Sequence, residues 1–188
     1  MKNYLLLIIV LIPFSIKCLS QDQDRKVALK TMMGYEFLSD GDYGGFHYCN
    51  SIEYPLKEHI YISGTIGSLV SSNNGNKNIL LRHNISFLQA DLSLIINPVN
   101  LTKFYLNFGL GGSFRHRSET EIVGLSIVNG VTTPKYSTED SFDIGYLGQI
   151  VFGFKATNRT SLELEMGMHS YNKGTSTFST GLGVKIKI

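Results

Sequence analysis

From Lys26 onward, apolar residues recur at every second position in runs of about ten, broken by Gly, Asn, Asp, Ser and Pro. A period of two is that of a β-strand with unlike faces, and no stretch past the first twenty residues sustains a helical period. The first run, Lys26–Phe37, sets Val27, Leu29, Met33, Tyr35 and Phe37 against Ala28, Lys30, Gly34 and Glu36. Phe46–Tyr54 and Ile60–Val70 follow with the same alternation. The fourth, Ile79–Ile96, is out of phase with itself: Ile79, Leu81, Ile85 and Phe87 are odd, whereas Leu88, Ala90, Leu92, Leu94 and Ile96 are even. A one-residue shift of this kind marks either a bulge or a change of surroundings. Phe104–Phe114, Phe142–Phe154, the run from Leu162 to His169, and Phe178–Ile188 complete eight predicted strands.

The connections alternate in length. Pro55–Glu58, Asn97–Lys103 and Ala156–Thr160 are short; Ser39–Gly45, Ser71–Asn78, Arg115–Asp140 and Asn172–Thr177 are mostly longer and polar. Short turns on one side, loops on the other and both termini on the turn side describe a transmembrane barrel with periplasmic termini. Soluble barrels alternate too, so sidedness decides. The polar face is rich in glycine and charge, as in Gly109, Gly111, Asp143, Gly145, Gln149, Gly153, Glu163 and Glu165. The apolar face carries large side chains at nearly every step, too many for the lumen of an eight-stranded barrel. These are expected to face lipid, and the polar face is expected to fill the middle. Tyr35, Phe37, Phe46, Tyr48, Phe114, Phe142 and Phe178 near the loops, and Tyr54, Phe104, Phe152 and Phe154 near the turns, are positioned for two interfacial girdles.

The first twenty residues stand apart. Lys2, the apolar run Tyr4–Ile12, Pro13 and the small-residue step Cys18-Leu19-Ser20 read as a signal peptide cleaved before Gln21, too short to span a bilayer as a helix. A lipoprotein with Cys18 acylated is the competing reading, opposed by Lys17. Residues 21–188 are then one barrel domain. Lys2 and Lys17 leave with the signal, so the 17 basic residues fall to 15 and equal the 15 acidic ones. No run of the sequence reads as a basic patch or arm, which argues against nucleic acid. Cys49 is then a lone cysteine, read as a small strand residue.

The second half resembles the PorT-like outer-membrane β-barrel family of Bacteroidetes, in Asp91–Pro98 (DLSLIINP), Lys103–Gly112 (KFYLNFGLGG), Ser141–Lys155 (SFDIGYLGQIVFGFK) and Ser179–Ile188 (STGLGVKIKI). That resemblance implies an eight-stranded outer-membrane barrel, with a link to protein secretion in a few members and no catalytic signature. The stretch Gly183–Ile188 also resembles the C-terminal strand signal read by the outer-membrane assembly machinery, ending in Ile188 where an aromatic is usual.

Little in the chain suggests reaction chemistry. His116-Arg117-Ser118 resembles the His-x-Ser pair of lipid A deacylases, with Glu119, Glu121, Glu139 and Asp140 as orienting candidates; a working site needs the base within reach of the hydroxyl. Glu163, Glu165 and His169, with Asp143 on a neighbouring strand, could bind metal or move protons; a lumenal network with Lys30, Lys155, Lys185 and Lys187 is the plainer reading. Ser72–Asn76 lacks the Gly-Lys-Ser/Thr step of a phosphate loop. No cofactor, metal or catalytic residue is therefore expected. The expected protein is a non-enzymatic outer-membrane scaffold, its partners being the lipid bilayer, the assembly machinery and a protein bound at the loops. Within Arg115–Asp140, residues Ile122, Val123, Leu125, Ile127 and Val128 can extend the fifth and sixth strands as a hairpin around Asn129-Gly130, the favoured partner surface. Alternatives are a lipid A hydrolase using His116 and Ser118, a soluble lipocalin-like barrel, and a narrow pore.

Overall fold

The computed structural model describes residues 26–39, 44–74, 82–128, 131–172 and 176–188. The predicted signal peptide, its cleavage point and the tip Asn129-Gly130 lie outside the described residues. Eight strands are present: β1 (Ala28–Leu38), β2 (Gly44–Lys57), β3 (Ile60–Asn74), β4 (Arg82–Asn100), β5 (Phe104–Val128), β6 (Val131–Lys155), β7 (Thr160–Tyr171) and β8 (Thr177–Lys187). Each pairs antiparallel with its neighbours in chain order, and β1 pairs with β8 from Ala28↔Lys187 to Leu38↔Thr177, closing the ring. Closure leaves no strand edge within the ring, as hydrocarbon requires. It is an eight-stranded antiparallel up-and-down transmembrane β-barrel.

Residues 58–59, 101–103 and 156–159 make the turns, and the start of β1 and the end of β8 lie at this end, where the Ile188 amide donates to the Val27 carbonyl at 2.8 Å. Register shifts at Pro55/Lys57 and Ile96/Val99 sit beside Pro55 and Pro98, which cannot donate to a ladder and end regular pairing here.

Sidedness follows the alternation. On β6 and β7, Phe152, Phe154, Leu162 and Leu164 are 38–52% exposed, while Glu163 and Glu165 are 2% and 9% exposed. A soluble barrel would need the reverse, so the lipocalin-like alternative fails on this face. Rings meet on the outer surface at both ends: Phe37 with Tyr35 and Phe178 at the loop end, Phe104 with Phe152 and Phe154 at the turn end.

The phase shift of β4 is not a bulge. Register runs unbroken through Phe87 and Leu88, against Leu69 and Ser68 of β3 and against Arg117 and His116 of β5. What changes is the lumen. Phe87 and Ile85 point inward and pack with Leu38 and Leu69 into an apolar plug at the loop end, while Leu88 faces lipid.

The predicted Arg115–Asp140 loop is corrected. Arg115 lies buried in the lumen, and the rest of the segment continues both strands to the last described pair, Val128↔Val131. β5 and β6 are each 25 residues long, against about 9–11 needed to cross a bilayer. The hairpin expected around Asn129-Gly130 is what these strands form.

Candidate functional site

Two regions concentrate side chains that could act: the filled lumen and the projecting hairpin.

The lower lumen is a network of ions. Lys30 Nζ lies 2.5 Å from Glu165, 3.6 Å from Glu163 and 3.9 Å from Glu53. Lys185 Nζ lies 2.8 Å from Glu53 and 3.0 Å from Glu163. The Tyr105 hydroxyl donates to Glu163, and its ring lies 4.9 Å from the Lys185 ammonium. Charges this deep persist because each is met by an opposite charge, and all but Glu165 by more than one; an unmatched one would cost several kcal/mol. Tyr105 reaches across because Gly153 sits behind its ring: a Cβ there would overlap the ring carbons.

The upper lumen has its own set. Arg115 donates from Nε and Nη2 to Asp143 Oδ2 at 3.0 and 2.7 Å, and its guanidinium lies between the rings of Phe87 (4.5 Å) and Tyr171 (3.7 Å). The Tyr171 hydroxyl donates to Gln89 Oε1 at 3.1 Å, and Gln89 Nε2 donates to Asp91 Oδ2 at 2.8 Å. His169 Nε2 lies 2.8 Å from Gln89 Nε2 and 3.4 Å from Asp91 Oδ2.

The predicted cluster of Glu163, Glu165, His169 and Asp143 is therefore split between layers. The glutamates join Lys30 and Lys185, His169 joins Asp91, and Asp143 joins Arg115. Among the described residues, no three His, Cys, Asp or Glu side chains are grouped to hold a metal. Lys155 and Lys187 do not enter the network: Lys155 donates to Asn100 Oδ1 and the Leu101 carbonyl at the turn end, and Lys187 is exposed there. Tyr105 and Tyr171 are further lumenal anchors, beyond the charged residues that stand out in the sequence. Their signal was parity, since both share the spacing of the polar face.

His116 and Ser118 are not joined by a hydrogen bond. Both lie on the outer face; the His116 ring packs on Phe142 at 4.6 Å, and among the described residues neither the imidazole nor the Ser118 hydroxyl makes a hydrogen bond. Glu119, on the opposite face, is engaged by Arg117. Among the described residues, side chains fill the lumen through both layers and the apolar plug, which does not favour the pore reading.

Above the barrel, β4 accompanies β5 only to Asn84↔Thr120, and β7 pairs with β6 only from Gly145↔Tyr171. Among the described residues, the ribbon beyond pairs with no third strand, and Thr120–Thr138 and Ser126–Thr133 hydroxyl contacts run across it. The stretch Arg117–Val128 adds roughly 40 Å of strand at about 3.3 Å per residue. Its outer face changes twice with height. Ser118 and Thr120, opposite Asp140 and Thr138, form a polar belt above the girdle. Beyond it come Ile122↔Tyr136, Leu125↔Pro134 and Ile127↔Thr132, where Leu125, Ile127 and Tyr136 are exposed.

This ring of strands, greasy outside and charged within, defines the class: a small transmembrane β-barrel of the outer-membrane type. Solved structures of that type share its fold. A major outer membrane protein from Thermus thermophilus matches 88% of this chain and 100% of its own, at 12% identity and TM-score 0.67. OprG from Pseudomonas aeruginosa matches 87% and 97%, at 12% identity and TM-score 0.57. Ail, the attachment invasion locus protein of Yersinia pestis, matches 87% and 97%, at 8% identity and TM-score 0.53. Identities this low carry the fold and nothing finer. No family model and no curated protein matches the chain, so the PorT-like resemblance rests on the residues quoted for it.

Proposed function

We propose that the chain is a non-enzymatic outer-membrane protein with periplasmic termini, whose barrel serves as a rigid base for the β5–β6 hairpin, and that the hairpin binds a protein partner outside the membrane. One observation carries this reading: from Val131 to Asp143, β6 has β5 on one side and, among the described residues, no strand on the other, while exposed Leu125, Ile127 and Tyr136 stand beyond a polar belt. A free strand edge offers unpaired N–H and C=O groups to an extended segment, and neighbouring apolar side chains add specificity. Ligands reached this way need no lumen, which fits a packed interior. The PorT-like resemblance supports protein secretion as the process served, and the Gly183–Ile188 strand supports insertion by the assembly machinery.

The test has two parts. Fractionation with a heat-modifiability gel checks the membrane barrel: the protein should partition with outer membranes and change mobility on boiling. A photocrosslinking residue at Tyr136 should then trap a discrete protein partner in intact cells, whereas one at lipid-facing Tyr146 should not. Equal trapping at both positions would remove the hairpin from the reading.

A further inference from the structure

Lysines distant in sequence converge at the turn-side mouth of the barrel. One hollow of about 40 Å³ is lined by Lys26, Lys155, Lys185 and Lys187 together with Glu53, Tyr61, Asn97, Asn100 and Tyr105. A wider one, about 490 Å³, shares Lys26, Tyr61 and Lys187 and adds Lys57, Glu58 and Asn158. Five lysines thus face two glutamates, and Glu53 is already engaged by Lys185 at 2.8 Å. Among the described residues, Lys26, Lys155 and Lys187 form no ion pair. Lys155 is held in place by two neutral oxygens, Asn100 Oδ1 at 2.6 Å and the Leu101 carbonyl at 2.7 Å, which fix its ammonium without cancelling its charge. Like charges gathered at one mouth repel, and an entering anion relieves that repulsion.

A second feature narrows the anion. Asn97 is 6% exposed, lines the smaller hollow, and its Oδ1 accepts no hydrogen bond. A buried acceptor left unmet lacks a donor, which a bare anion does not bring. Separate ammonium groups approaching from several strands suit a tetrahedral oxyanion; a planar carboxylate is matched better by the fork of an arginine.

We propose that this mouth binds a phosphate group whose bearer also carries a hydroxyl or ammonium donor. The phosphate sits among Lys26, Lys155 and Lys187, and the donor reaches Asn97 Oδ1. Two sources offer that chemistry: the headgroup of a phospholipid in the adjoining leaflet, and a soluble phosphate ester.

The experiment uses the whole mature chain folded in a neutral detergent, titrated with O-phosphoethanolamine, inorganic phosphate and acetate while lysine and asparagine resonances are followed by NMR. Phosphoethanolamine should bind saturably, more tightly than phosphate, with acetate weakest. The Lys26→Gln/Lys187→Gln variant should bind about tenfold more weakly at low salt, the loss shrinking as salt rises. Asn97→Ala should erase the preference for phosphoethanolamine over phosphate and leave phosphate binding. Heat modifiability confirms that each variant is folded. Native mass spectrometry from phosphatidylcholine nanodiscs containing phosphatidylethanolamine separates the sources: a retained phosphatidylethanolamine, lost in the lysine variant, assigns the headgroup, and soluble binding without retained lipid assigns the ester. Acetate binding as well as phosphate, or phosphate binding unaffected by the lysine substitutions, overturns the proposal. So does binding that emerges only with Asp22→Asn/Asp24→Asn, which would give the mouth to the acids that precede Lys26. Failure here leaves the hairpin reading untouched, since the two lie at opposite ends of the barrel.

Discussion

Arg115 and Asp143 are joined by two hydrogen bonds across the β5–β6 ladder, at 3.0 and 2.7 Å, both to one carboxylate oxygen and both fully inside the barrel. The pair caps the ionic interior just beneath the apolar plug. Asp143 Oδ1 has no partner, so the carboxylate is only half satisfied.

That asymmetry sets the first prediction. Arg115→Ala strands a buried carboxylate and should cost about 3–5 kcal/mol, measured by urea unfolding in vesicles. Replacing both, Arg115→Met with Asp143→Leu, removes the charges together and should recover part of that loss. A double variant as unstable as the single one would show that the pair does more than neutralise itself.

Gly153 and Tyr105 form a tighter dependency. Gly153→Ala puts a Cβ into the Tyr105 ring, so the ring must leave and its bond to Glu163 goes with it. Tyr105→Phe keeps the ring and loses only the hydroxyl, at about 1–3 kcal/mol. The glycine substitution should be the costlier, and Gly153→Ala with Tyr105→Ala should cost less than the sum of its parts. Strict additivity would contradict the steric account.

Sidedness is open to a direct test. Leu164→Arg should destabilise the barrel by about 2–4 kcal/mol if it lies near mid-bilayer. Thr138→Arg, on the exposed ribbon, should change stability by no more than about 0.5 kcal/mol. Comparable costs at the two sites would argue that no lipid surrounds Leu164.

The inversion at Phe87 and Leu88 can be read by labelling. In a Cys49→Ala background, Leu88→Cys should react with a lipid-soluble maleimide in vesicles, and Phe87→Cys should resist it. Phe87→Ala should cost about 3–5 kcal/mol, as expected when a packed ring is removed. Reaction at both positions would point to a local break in the β4 ladder.

Much of the barrel was legible because alternation is a local property. Successive side chains on a strand point to opposite sides, so Leu162, Glu163, Leu164 and Glu165 declare two faces without reference to any other strand. Bulk on one face and glycine with charge on the other then decides which is inside. The even number of strands and the alternating turn lengths put the start of the first strand and the end of the last together. The hairpin was visible as a hydrophobic insertion around Asn129-Gly130, though its lower part was read as loop because its polar belt interrupts the alternation.

Tertiary structure decided everything that depends on register between strands. The lysines were seen singly, but Lys155 and Lys187 went to the mouth and not to the lumenal network, because each stands at the turn-side end of its strand. No contiguous run announced a basic patch; residues 26, 57, 155, 185 and 187 become one only when the ring closes. Arg115 and Asp143, Tyr105 and Glu163, and Gln89 and His169 find one another in the same way. The chain's own pattern determined which face each residue takes. Its height in the barrel, and so its partner, required the stagger of all eight strands, a sum over every turn and bulge that no single segment encodes.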